Sequence, residues 1–366
     1  MIIKRFKAEN FRNIERCDIE FSSGVNLLYG NNAQGKTNAV EGIYVFARGK
    51  SFRASEDKEL IRFGSEGFRI FIEYEDKNGL NTLEYSLFGR ERRRKKNGYK
   101  IEKIKEMLGS FKAVLFYPDD LGLVKGSPEE RRDFLNVAIS QCYDIYLSYY
   151  ANFKKALENR NCLLKLSSKG MYVDDNELIS WSYYMAEYAS YINIMRKEYI
   201  NKLSEYVGRL MKEISDGNED VTLHYKSDIE DYSLTREEIF NEYKRIFTEE
   251  LAREKIVGSS LFGPHRDDVI ININGKSARS FASQGQQRSI VLSLKLSEGE
   301  VNKEICGEYP VFLFDDVLSE LDEKRKKFVI DGIGERQIII TSCEKDSDGM
   351  NPERKIEVIS GDYKGN

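Results

Sequence analysis

The chain has 366 residues, of which 40% are apolar and 32% charged, with a net charge of −4. That balance describes a soluble globular protein with room for two domains, and it excludes a surface that is basic all over. No apolar run reaches the length of a membrane span, and no signal peptide is read at the start. Five cysteines, at 17, 142, 162, 306 and 343, are odd in number and lack CxxC spacing, so a reduced, cytoplasmic chain without disulfides or a zinc site is expected.

In chain order, Ile3, Phe6 and Ala8, then Phe11–Ile14 and Cys17–Phe21, read as strands, and Val25–Tyr29 is a short buried strand closed by Gly30. A helix is expected from Lys36, with Gly49 as its stop. Phe68 to Phe88 holds two strands joined near Asn78-Gly79, and Asn97-Gly98 is a second hairpin turn. At Ser127-Pro128-Glu129-Glu130, an N-cap, an N1 proline and an N3 glutamate predict the start of a long helix.

That helix carries the heptad-spaced stripe Leu135, Ile139, Cys142, Tyr146, Tyr149, Phe153, Ala156. A second stripe runs Leu178, Trp181, Met185, Tyr188, Ile192, Met195, Tyr199, so an antiparallel helical hairpin or two ordinary core helices are expected. Strand character returns at Val221–Tyr225 and Val269–Ile273. The tail alternates strand (Tyr309–Phe314), helix (Glu323–Gly332) and strand (Gln337–Ser342), the pattern of a parallel sheet. The fold class is α/β, with one domain built from both chain ends and a helical arm between them. The expected boundaries are 1–122, 123–254 and 255–366.

Gly30-Asn31-Asn32-Ala33-Gln34-Gly35-Lys36-Thr37 matches the phosphate-loop pattern GxxxxGK[ST], with a strand before it and a helix after. The glycines let backbone N–H groups turn inward around phosphate oxygens, at the positive end of the helix. Lys36 is expected on the β- and γ-phosphates of ATP and Thr37 on Mg2+. Val311-Phe312-Leu313-Phe314-Asp315-Asp316 is the matching Walker B strand: Asp315 is expected to hold the metal and Asp316 to orient or deprotonate the attacking water. Lys36, Asp315 and Asp316 are therefore the expected hydrolytic residues.

Ser283-Gln284-Gly285-Gln286-Gln287-Arg288, ahead of a helix expected over 289–303, is similar to the signature motif of ABC-type ATPases. That resemblance implies a homodimer in which Ser283, Gly285 and Gln286 complete the ATP site of the other copy. Ser319-Glu320-Leu321-Asp322 resembles the D-loop of the same class. Asn10–Ile14, Gly30–Thr37 and Glu41-Gly42-Ile43 resemble the SMC/Rad50/RecF group of DNA-maintenance ATPases.

Further segments resemble the RecF family: Gly49–Arg53, Phe116–Leu121, Leu123–Leu135, Gly263–Asp268, Ser283–Arg288 and Phe314–Asp322. They are spread over nearly the whole chain in order. The resemblance implies an ABC-type ATPase head with an inserted helical arm and weak, DNA-dependent ATP hydrolysis. It also implies binding at single-strand gaps or duplex junctions, and work with RecR and RecO in placing RecA during repair and replication. The arm is too short for the coiled coils of SMC or Rad50. The switch histidine of transporter ATPases is replaced by Ile340-Thr341-Ser342-Cys343, where Thr341 or Ser342 is a candidate sensor, and no Q-loop glutamine is placed.

For DNA, the basic run Arg92, Arg93, Arg94, Lys95 and Lys96 on a hairpin tip suits sequence-independent phosphate contact, or simply a solvated edge. Arg53 resembles an arginine that SMC proteins place near DNA and nucleotide, or serves a surface salt bridge. His265-Arg266-Asp267-Asp268 reads as a structural turn, with a catalytic cluster as the alternative. Rival functions are a small-molecule P-loop kinase, against which the Ser283–Arg288 segment argues, and an ATP-sensing scaffold.

Overall fold

The computed structural model describes residues 1–103, 106–318, 321–332, 334–345 and 351–365. In chain order the first part holds β1 (Ile2–Phe11), β2 (Ile14–Glu20), β3 (Val25–Tyr29), α1 (Lys36–Arg48), β4 (Gly67–Asp76), β5 (Gly79–Phe88), β6 (Glu91–Lys96), β7 (Tyr99–Ile101) and β8 (Ala113–Phe116). The middle holds α2 (Gly122–Lys125), α3 (Pro128–Cys142), α4 (Asp144–Ser167), α5 (Asp175–Ile214), β9 (Val221–Lys226), α6 (Arg236–Glu249), α7 (Leu251–Val257), β10 (Asp268–Ile273), β11 (Lys276–Ser277) and α8 (Ala278–Phe281). The last part holds α9 (Gln284–Cys306), β12 (Val311–Asp315), α10 (Glu323–Asp331), β13 (Ile338–Ser342), β14 (Arg354–Ile359) and β15 (Asp362–Gly365). Two units emerge: Met1–Leu121 with Arg209–Asn218 and Ser283–Asn366, and Gly122–Gly208 with Glu219–Ala282.

In the first unit an antiparallel sheet runs β2-β1-β4-β5-β6-β7 and a largely parallel sheet runs β15-β14-β3-β13-β12-β8. Apolar alternation on β1 changes phase after Ile3, so that Phe6 and Ala8 are buried; the β1–β4 register shifts between Ile3 and Arg5, as a bulge requires. The parallel strands are buried on both faces, which explains the unbroken apolar runs Val311–Phe314 and Ile338–Ile340. Helix α1 shares one core with β1, β4 and the parallel strands, burying Val40, Ile43, Val45 and Phe46. Gly42 allows this approach: a Cβ there would stand 2.6 Å from Phe6 Cζ. The helix stops as expected at Gly49 (φ 80°), whose N–H donates to Val45 O at 2.7 Å.

In the second unit α4 and α5 form the antiparallel hairpin. Tyr146 pairs with Arg196, Tyr149 stacks on Tyr191 with centroids 4.2 Å apart, and Arg160 bonds Ser182, so partners move in opposite chain directions. Both expected seams are inward: Leu135, Ile139, Tyr146, Phe153, Leu178, Met185, Ile192 and Tyr199 are all buried.

One helix expected to continue through Ala156 is instead two. Tyr143 is extended (φ −134°, ψ 102°), capping α3 and starting α4, with Asp144 favourably placed in the new first turn. The helix expected to begin at residue 289 starts at Gln284, because Ser283 and Gln286 form a capping box. Strand β8 and the C-terminal hairpin β14–β15 were not legible in the pattern. No helix among the described residues is long and apolar enough to cross a membrane.

Candidate functional site

The phosphate loop leaves β3 and enters α1. Its backbone takes positive φ at Gly30 (152°), Ala33 (64°) and Gly35 (118°), which curls the chain. A side chain at Gly35 would meet Asn13 Oδ1 at 2.8 Å, and one at Gly30 would meet Val358 O at 2.3 Å, so both positions demand glycine on two grounds. Lys36 lies almost wholly buried, its Nζ donating to Gly30 O at 2.6 Å and Asn31 O at 3.0 Å. The ammonium therefore sits inside the curl of the loop.

Strand β12 delivers Asp315 to the same place. Thr37 Oγ1 donates to Asp315 Oδ1 at 2.9 Å, which joins the two halves of the site across most of the sequence. Thr341 Oγ1, on β13, donates to the same oxygen at 2.9 Å. Burial raises the Asp315 carboxyl above its ordinary value; the hydroxyls of Thr341 and Thr37 offset this in part. A hydroxyl and a carboxylate in contact are the hard oxygen donors that Mg2+ takes, so this pair fits such an ion. Asp316 follows with left-handed backbone (φ 56°), its N–H donating to Thr341 Oγ1 at 2.9 Å.

The two candidate sensors, Thr341 and Ser342, differ in their contacts. Thr341 spends its only hydroxyl proton on Asp315. Ser342 and Cys343 both meet the phosphate loop: the Ser342 carbonyl accepts from Gly30 N–H at 3.2 Å, and Cys343 Sγ donates to Asn32 Oδ1 at 2.9 Å.

Three features of the site escaped the sequence. Glu41, fully buried, accepts Arg12 (2.9 and 2.7 Å), Arg53 and Ser51. Burial raises its carboxyl, but these donors together outweigh it and hold it below its ordinary value. The motifs at Asn10–Ile14, Glu41 and Arg53 are thus one network, though no local spacing signals it. Second, the β14–β15 turn clamps the loop: Gly361 N–H donates to Gln34 O at 2.8 Å and Tyr363 OH to Gly35 O at 2.8 Å. Third, Arg325 of α10 donates to Ser289 Oγ (2.7 Å) and Gly285 O (3.2 Å) and pairs with Asp322.

Ser283 caps α9, its Oγ accepting from Gln286 N–H at 3.2 Å. Among the described residues, the hydrogen bonds of Ser283 and Gly285 are to their own helix turn and Arg325. Ser319 and Glu320 of the D-loop resemblance lie outside the described residues.

The basic run lies on β6, with the expected turn at Asn97 (φ 51°) and Gly98 (φ 81°). Its cations have partners: Arg92 with Asp57 (2.7 Å), Arg93 with Glu91 (2.8 Å), Lys95 with Glu84 (3.3 Å) and Lys96 with Ser110 (2.8 Å). Arg94 lies over the Tyr85 ring. Arg53 joins Glu41 and Asn38.

His265–Asp268 is built as a structural turn. Asp267 is buried against Arg196 (2.9 Å) and Tyr225, Asp268 is held by Arg131 (2.7 and 3.0 Å), and His265 Nε2 faces Ser260 O at 3.2 Å.

Strand, curled loop, lysine and a buried carboxylate one strand removed in the same parallel sheet define a P-loop ATPase head of the ABC/SMC class. The model for the RecF/RecN/SMC N terminal domain matches residues 2–360. An Smc head domain from Pyrococcus furiosus shares the fold, with a TM-score of 0.57 at 18% identity, over 100% of this chain and 96% of that one. The "DNA replication and repair protein RecF" of Clostridioides difficile is 36% identical over 364 residues, 98% of this chain and 96% of the relative. That of Clostridium novyi is 38% identical over 343 residues, 93% and 92% of the two chains. A solved structure of the recombination mediator protein RecF-ATP in the RecFOR pathway superposes with a TM-score of 0.93 at 34% identity, covering 100% of this chain and 97% of that one. The chain belongs to the RecF family.

Proposed function

We propose that this chain is an ATP-dependent DNA-binding ATPase of DNA replication and repair. The observation that carries the reading is the Thr37–Asp315 hydrogen bond at 2.9 Å, which joins the phosphate loop and the Walker B strand from opposite ends of the chain. Lys36 and the loop amides bind the phosphates of ATP. Thr37 and Asp315 would hold Mg2+, which when bound neutralises charge on the β- and γ-phosphates. Asp316 orients the attacking water and takes its proton as the bond between the γ-phosphorus and the bridging oxygen breaks, giving ADP and phosphate.

Two copies close on two ATP molecules, with Ser283, Gly285 and Gln286 of each completing the site of the other. The closed dimer grips DNA at single-strand gaps or junctions through Arg53 and the Arg92–Lys96 strand. The Arg93–Glu91 pair is exposed on both sides and worth little, which leaves that cation available to phosphates. Slow hydrolysis releases the DNA, and the cycle serves RecA loading with RecR and RecO.

DNA binding and oligomeric state, measured with and without ATP and Mg2+ for the wild type and Lys36→Met, test this. ATP should produce a DNA-bound dimer of the wild type and none of the variant. ATP binding with neither dimer nor DNA complex at low salt overturns the reading. The pairing of the β6 cations favours a second reading, an ATP-sensing scaffold, which predicts ATP retention by Asp316→Asn without any DNA binding.

A further inference from the structure

The geometry points to Thr341 as the residue that positions both Walker B carboxylates, an inference that rests on the ATPase reading above. Strand β13 lies between β3, which feeds the phosphate loop, and β12, which ends in Asp315. In register, Thr341 stands opposite Asp315 on one side and Leu28 on the other, and it is buried. Its hydroxyl works in both directions. It donates to Asp315 Oδ1 at 2.9 Å and accepts from the Asp316 backbone N–H at 2.9 Å.

Each contact does something separate. Thr37 and Thr341 occupy the same oxygen, Asp315 Oδ1, and so fix the carboxylate's rotation, while Oδ2 makes no hydrogen bond among the described residues. The second contact holds Asp316 in left-handed backbone, φ 56°, a conformation that a Cβ disfavours and that needs an external partner. That backbone turns the chain out of the strand immediately after Asp315 and sets where the Asp316 side chain leaves it. One buried hydroxyl thus sets the metal-side carboxylate and the water-side carboxylate relative to each other. Thr341 is a positioning residue and touches no phosphate.

The prediction is a split between binding and turnover. Thr341→Val keeps the shape and removes both hydrogen bonds. Its affinity for a fluorescent ATP analogue should stay within about threefold of wild type, while kcat falls about tenfold or more, as misplaced groups demand. Thr341→Ser restores the hydroxyl and should keep kcat within about threefold. Folding is checked by thermal melting, and should the valine variant not fold, Thr341→Ala replaces it beside the serine. Wild-type kcat in the hydroxyl-free variant, with Asp316→Asn inactive, overturns this inference and leaves the ATPase reading intact. So does equal loss of affinity and kcat, which makes the threonine a general support of the site, or loss of kcat in Thr341→Ser. Absence of ATP turnover in the wild type instead overturns the ATPase reading itself.

Discussion

His265 shows how a residue that looks chemical can be structural. Burial pushes its imidazole down to about 4; the Ser260 carbonyl opposes this, and Arg266, Arg132 and Arg160 add to it. The ring is therefore neutral at pH 7 and packs beside Phe153, with centroids 5.9 Å apart. The unfolded chain takes up a proton near the ordinary 6.5 that the folded chain refuses until about 4. Stability from this group is complete above 6.5 and is lost as pH falls through that window, with a slope of up to about 1.4 kcal/mol per pH unit. Urea denaturation of wild type and His265→Asn between pH 7 and about 4 should show this slope only in the wild type. Parallel pH profiles would remove His265 from this role.

At the scale of elements, the helical unit is organised by buried charge as much as by its apolar seams. Arg160 of α4 is fully buried and donates to Ser182 of α5 (2.8 Å), Ser260 (2.8 Å) and Glu254 of α7 (2.6 Å). Glu254 also accepts from Leu261 N–H at 2.7 Å. Each partner sits on a different element, so the guanidinium fixes rotation and register that a seam of apolar side chains specifies weakly. Arg160→Met leaves the Glu254 charge buried and should cost about 3–5 kcal/mol. Adding Glu254→Gln removes that orphaned charge and should restore much of the loss in urea unfolding. Additive losses in this double-mutant cycle would mean that the pair is not coupled. The seams themselves were legible because a heptad is a local pattern. The break at Tyr143 was not, since a single extended residue leaves the periodicity on either side intact.

At the scale of the molecule, a net charge of −4 means that any nucleic-acid site must be local. Strand β6 concentrates five of the candidate cations, and its partner Glu91 is an exposed side chain that phosphates can displace. Each phosphate contact contributes about 0.9 to the log–log salt slope on duplex DNA. Arg93→Gln with Lys95→Gln should make that slope shallower by roughly 2 and weaken binding without sequence preference. An unchanged slope would take β6 out of the interface.

By itself the sequence determined the phosphate loop, the Walker B strand, the two arm seams and the α/β class, each a short-range pattern of spacing set by helix or strand geometry. The tertiary structure alone decided which distant side chains share an atom. It brought Thr37 and Thr341 to one oxygen of Asp315, gathered Arg12, Ser51 and Arg53 on Glu41, and laid the β14–β15 turn on Gln34 and Gly35. Those contacts arise from strand order in the parallel sheet and from burial of a carboxylate that must then find donors, and neither leaves a period in the chain.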